Sequence, residues 1–84
     1  MTYTVLILRR AQKELAGLPT EAYEHAKQAI RGLGEDPRPR GCRKLIGRPG
    51  YRVRVGDYRL IYEIDDAQTT VTVLHVGHRR DVYR

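Results

Sequence analysis

The hydrophobic period of this chain changes once, from about 3.6 residues to 2, and the change falls across a Pro- and Gly-rich segment, Glu35–Cys42. That single switch divides the chain into a helical part and a stranded part. Before the helices, Tyr3–Leu8 is a short apolar, β-branched run that reads as a strand. Arg9–Leu18 carries Ala11, Leu15 and Leu18 at helical spacing, and Gly17, Leu18 and Pro19 stop it. Thr20 is the expected N-cap of a second helix, with Glu21 and Glu24 in a first turn where the helix dipole favours acids. Ala22, Ala26, Ala29, Ile30 and Leu33 mark its apolar face, and Gly32 and Gly34 its expected end.

Beyond the switch, Tyr51, Val53 and Val55 alternate with Arg52 and Arg54, and Gly56-Asp57 is a turn signal for a hairpin. Tyr58–Ile64 follows as a strand, then the polar turn Asp65–Gln68, then a Thr- and Val-rich strand over Thr69–Val76. The expected order is β-α-α-β-β-β, with an extra short strand near Lys44–Ile46. This is an α+β fold in which a helix hairpin packs on one face of a mainly antiparallel sheet. With 84 residues, one domain over 1–84 is expected. If Val53 and Val55 face the helices, Arg52 and Arg54 face away, onto a sheet face expected to be open.

Charge narrows the function. The net charge is +6, and 13 of the 16 basic residues are arginine, whose planar fork suits phosphate. The excess is local. Residues 37–62 hold eight basic residues against Asp57 alone, whereas both flanks are close to neutral. Such a block points to a polyanionic partner, with a solvated arginine-rich surface as the alternative. Nothing approaches the roughly 20 apolar residues of a membrane span, and the N-terminus reads as a strand rather than a leader. The lone Cys42 excludes an internal disulfide, so a cytoplasmic protein is expected. Cys42, in a polar loop without an adjacent histidine or carboxylate, reads as incidental.

The strings Lys44-Leu45-Ile46-Gly47, Gly50-Tyr51-Arg52-Val53-Arg54-Val55-Gly56-Asp57-Tyr58-Arg59-Leu60-Ile61-Tyr62 and Val76-Gly77-His78-Arg79-Arg80-Asp81-Val82-Tyr83 resemble the RelE branch of the RelE/ParE toxin superfamily. The resemblance spans essentially the whole chain, and the His-Arg-Arg-Asp-Val-Tyr ending tilts it towards RelE. It implies a metal-independent ribonuclease that cuts mRNA in the ribosomal A site and is silenced by a cognate antitoxin, RelB-like or other. The toxin–antitoxin complex would itself be a candidate to bind its own operator DNA. Carried over by position, the catalytic set is Arg52, Arg54, Arg59, Arg79 and Tyr83. This chain departs from well-known members by having arginine, not lysine, at positions 52 and 54.

The chemistry can be argued from the residues as well. RNA is cut when its 2′-hydroxyl attacks the adjacent phosphate. That step needs a base, cations for charge developing on the phosphoryl oxygens, and an acid for the leaving 5′-oxygen. Converging arginines supply the second need. No ligand spacing suggests a metal, and no cofactor is implied. Arginine cannot serve as the base, with a pKa above about 12. Tyr83 and His78 are the candidates, the latter because an imidazole pKa near 6.5 suits neutral pH. His75 and His78, three apart, are expected on opposite sides. Arg43, Lys44, Arg48 and Arg80 are the further RNA-contact candidates. Two other readings stay open: a ParE-like toxin that poisons DNA gyrase without cleaving nucleic acid, and a decayed toxin that survives as a repressor partner.

Overall fold

The computed structural model describes residues 2–78. Along the chain run β1 (Thr4–Ile7), α1 (Arg9–Ala16), α2 (Thr20–Glu35), β2 (Arg43–Lys44), β3 (Tyr51–Val55), β4 (Tyr58–Asp65) and β5 (Thr70–His78). The strands form one sheet in the order β1-β5-β4-β3-β2. β1 pairs parallel with β5, from Thr4↔Thr70 to Ile7↔Val73, and the other pairs are antiparallel. The α+β class and the mainly antiparallel sheet are as expected. The short strand falls at Arg43–Lys44 rather than Lys44–Ile46, because the chain turns back just beyond it.

The helices cover one side of the sheet. Ala11, Leu15, Ala26, Ile30 and Leu33 pack on Val53, Leu60, Tyr62, Val71, Val73 and Val76. Each large side chain removed from water in this way contributes roughly 1.5–3 kcal/mol. Tyr62 is wholly buried, and its hydroxyl donates to the Pro37 carbonyl at 2.8 Å. Burial first, and then the neighbouring Cys42, push this phenol well above its ordinary pKa. Cys42 is therefore not an open-loop residue: it is half-buried and packed against the core.

Two helix boundaries differ from expectation. Pro19, not Thr20, caps α2, and no side chain makes a capping bond. The Pro19 carbonyl already accepts the Tyr23 N–H at 2.8 Å, so the helix starts one residue earlier than the Thr20 signal suggests. At the other end, α2 runs through Gly32 and Gly34 to Glu35 and stops at Asp36, before Pro37. Gly34 serves packing instead of termination. A Cβ there would lie 3.2 Å from the Tyr3 carbonyl oxygen and 3.3 Å from Val5 Cγ2. This close approach lets the Tyr3 N–H donate to the Gly34 carbonyl at 2.7 Å, which seats β1 beneath the helix.

Candidate functional site

Side-chain alternation in β3 and β4 sets the site. Val53↔Leu60 is a pair on the helix side, so Arg52↔Ile61 and Arg54↔Arg59 are pairs on the other. Arg43 of β2 lies opposite Arg52, and Gly77 of β5 lies opposite Arg59. Gly77 has no side chain to crowd that arginine.

The face expected to be open is partly roofed. The Leu45 N–H donates to the Gly50 carbonyl at 2.9 Å, which closes the loop between β2 and β3. Gly47 and Gly50 take φ of +78° and +118°, a region that side-chain-bearing residues rarely adopt. At position 50 a Cβ would also stand 3.1 Å from the Tyr62 carbonyl oxygen. Leu45 and Ile61 are buried, yet neither belongs to the helix-side core. They form a small apolar patch on the arginine side.

Around the Leu45 end of that patch lies a groove of about 1000 Å³ lined by Cys42, Arg43, Lys44, Leu45, Ile46, Arg48, Arg52 and Arg59. An adjoining hollow of about 290 Å³ adds Arg54 and Gly41 to three of the same arginines. Among the described residues no carboxylate lines either space. Six of the ten candidates read from sequence are thus brought together: Arg43, Lys44, Arg48, Arg52, Arg54 and Arg59. Arg79, Arg80 and Tyr83 lie outside the described residues. The apolar lining by Leu45 and Ile46, and the wall formed by Cys42, were not foreseen. The adjacent apolar pair inside Lys44-Leu45-Ile46-Gly47-Arg48 was the available signal.

His78 does not join the arginines. β5 carries an extra residue: Ile61 pairs with His75 but Tyr62 pairs with Val73, which leaves Leu74 as a bulge. The bulge reverses the alternation, so Val71, Val73 and Val76 all reach the core. It also carries His75 to the arginine side and sets His78 opposite Tyr58, with the two rings edge to face at 5.8 Å. The two histidines do lie on opposite sides, as their spacing implies.

One arginine of the basic block has a different job. Arg38 pairs with Asp66 through both nitrogens, at 2.9 and 3.3 Å, and lies over the Tyr51 ring. The Tyr3 hydroxyl donates to the same carboxylate at 2.6 Å. The Arg38 bond first, and then Tyr3, hold the Asp66 carboxyl below its usual range, while that carboxylate raises the Tyr3 phenol. Together with the Tyr62–Pro37 bond, these contacts latch the loop that leads into β2.

Six cations around the groove and its adjoining hollow make a strong local positive potential with forked donors suited to phosphate oxygens. Fold and site together define a small α+β domain that concentrates cations on one face of its sheet. The comparisons with known proteins agree with that fold. Residues 5–83 match the family described as ParE toxin of the type II toxin–antitoxin system parDE. The toxin RelG of Mycobacterium tuberculosis is 39% identical over 88 residues, covering 100% of this chain and 99% of RelG. The RelBE2 toxin–antitoxin complex of the same organism aligns at TM-score 0.82 and 34% identity, over 94% of this chain and 100% of the other. The archaeal RelE–RelB complex of Pyrococcus horikoshii aligns at TM-score 0.84 and 32% identity, over 98% and 100%. This chain belongs to the RelE/ParE superfamily of type II toxin–antitoxin toxins.

Proposed function

We propose that this toxin is a ribosome-dependent endoribonuclease of the RelE kind, cleaving mRNA in the A site. The observation that supports it most is the groove and adjoining hollow that together gather six cations with no lining carboxylate among the described residues. Arg52, Arg54 and Arg59 would bind the scissile phosphate and stabilise the charge that develops on its oxygens as the 2′-oxygen bonds to phosphorus. Arg43, Lys44 and Arg48 would hold flanking phosphates, and Arg79, Arg80 and Tyr83 complete the proposed set. The proton of the 2′-hydroxyl must go to a base and the leaving 5′-oxygen must receive one. Tyr83 is our choice of base over His78, because His78 sits against Tyr58 on the side away from Arg52. A catalytic set without a strong base fits dependence on the ribosome, which would order the RNA for attack.

A cognate antitoxin is the proposed partner, since the two similar structures described above are toxin–antitoxin complexes. Its neutralising segment would be acidic, or would displace an element of this fold. The cytoplasm, where mRNA is translated, is the proposed location; among the described residues no helix is long and apolar enough to cross a membrane. The match to a family named for ParE favours a second reading, a gyrase poison. Primer extension on a defined mRNA in a purified translation system separates the two. Cuts within A-site codons that need the ribosome are expected. Intact mRNA together with lost gyrase supercoiling would replace this reading with the second.

A further inference from the structure

Next to the arginine groove is a second hollow, of about 380 Å³, that the proposed chemistry leaves unused. It shares Leu45 and Arg48 with the groove, so the two are continuous. Its lining is different in kind. Leu8, Pro49, Ile61 and Leu74 make its floor apolar, and Arg10, Glu63 and His75 stand beside them. Ile61 is 1% exposed and Leu8 46%, so the space has a closed floor and an accessible rim. Arg10 lies 3.9 Å from the Glu14 carboxylate and Glu63 adds a second acid, so charge here is more nearly balanced than in the groove and a phosphate is less favoured. The same surroundings suit a nucleobase, which offers a flat face for stacking and exocyclic amines that seek an acceptor.

His75 is held ready for such a face. The Leu74 bulge turns it to this side, directly opposite Ile61. Its Nδ1 lies 3.5 Å from Glu14 Oε1, and that oxygen also accepts the Val76 N–H at 3.0 Å. One carboxylate therefore stands beside the imidazole and also binds the strand that carries it. The row Arg52–Ile61–His75 crosses two strand spacings, so the ring stands on the order of 10 Å from the Arg52 position. That is a short reach for a nucleotide whose phosphate lies in the groove.

We propose that this hollow is a nucleobase subsite, in which an unpaired base of single-stranded RNA stacks on His75 above Ile61 and Leu74. Glu63 accepts from the exocyclic amine of the base. The inference rests on the RNA reading of the arginine groove, and its test keeps the two apart. Short fluorescein-labelled RNAs, each with one abasic position, are titrated into the full-length chain at several salt concentrations. In the wild type one abasic position should weaken binding by about 5- to 150-fold, the range for a stacked base. His75→Ala should abolish that penalty and His75→Phe should keep it, with both variants folded by circular dichroism. Salt-dependent binding with no abasic penalty overturns the subsite and leaves the groove standing. A penalty that survives His75→Ala also overturns it. Absence of salt-dependent binding to any RNA overturns both.

Discussion

Arg38 and Arg52 belong to one basic block of the sequence, yet they work in opposite settings. Arg38 sits between a carboxylate and an aromatic ring: Asp66 takes both of its nitrogens and Tyr51 lies beneath. Its charge is used inside the fold, pinning the loop before β2. Arg52 lines a groove with four other cations, and an adjoining hollow with Arg54, with no carboxylate in either among the described residues. Such a concentration of like charge opposes folding slightly, and makes sense where an anionic ligand is to come. Count alone therefore does not separate an arginine that pins the fold from one left facing other cations. The neighbours do: an acid and a ring in one case, further cations in the other.

The contrast breaks first on charge. Replacing Lys44 and Arg48 by glutamine should weaken binding of single-stranded RNA for every sequence alike. It should also flatten the dependence of log K on log salt by about 0.7 for each phosphate that is no longer neutralised. Arg38→Gln should leave that slope where it is; an equal fall in both would put Arg38 in the RNA site.

A smaller effect is expected from Gly50→Ala. The new Cβ meets the Tyr62 carbonyl oxygen at 3.1 Å with φ at +118°. A stability loss of about 1–3 kcal/mol in chemical denaturation should follow, as for other strained backbone positions. RNA affinity that falls in proportion would show that the Leu45 loop shapes the groove; a neutral substitution would show that the loop adapts.

The smallest effect belongs to the latch, and it depends on pH. Asp66 has a folded pKa below its unfolded value of about 3.9. Its contribution is present above that unfolded value and is lost as pH falls through the depressed folded one. The melting temperature of Asp66→Asn should therefore lie below that of the wild type at neutral pH and converge with it in acid. Parallel curves throughout would dissociate Asp66 from the titration.

Much of the scaffold was legible because its signals are local. The Gly56-Asp57 hairpin, the alternation of Val53 and Val55 with Arg52 and Arg54, and the helical stripe of Ala26, Ile30 and Leu33 need only neighbouring residues to be read. What was missed depends on partners far along the chain. Gly34 looks like a helix stop until Tyr3, 31 positions earlier, is laid across it. The parallel pairing of β1 with β5 has no signature in either strand. The Leu74 bulge is stabilised by the Glu14 carboxylate on the Val76 N–H, a contact 62 residues apart. Strict alternation in β5 would therefore have placed the wrong histidine beside the arginines. Arg43, Arg52, Arg54 and Arg59 were legible because cross-strand pairing preserves the pattern of a hairpin, whereas Lys44 and Arg48 reach the groove at the end of β2 and from the loop beyond it. Arg38 was not separable from them, because Asp66 lies 28 residues away.

We propose that the arginines facing the groove act on RNA whereas the latched Arg38 acts on the fold. The direct test is the rate of mRNA cleavage in the purified translation system for Arg59→Ala and Arg38→Ala, each corrected for its folded fraction. The account predicts a loss of about 10²-fold or more for Arg59→Ala, as for other groups that stabilise transition-state charge, and a rate close to wild type for Arg38→Ala. Equal rates for the two variants, or a loss under about 3-fold for Arg59→Ala, would contradict it.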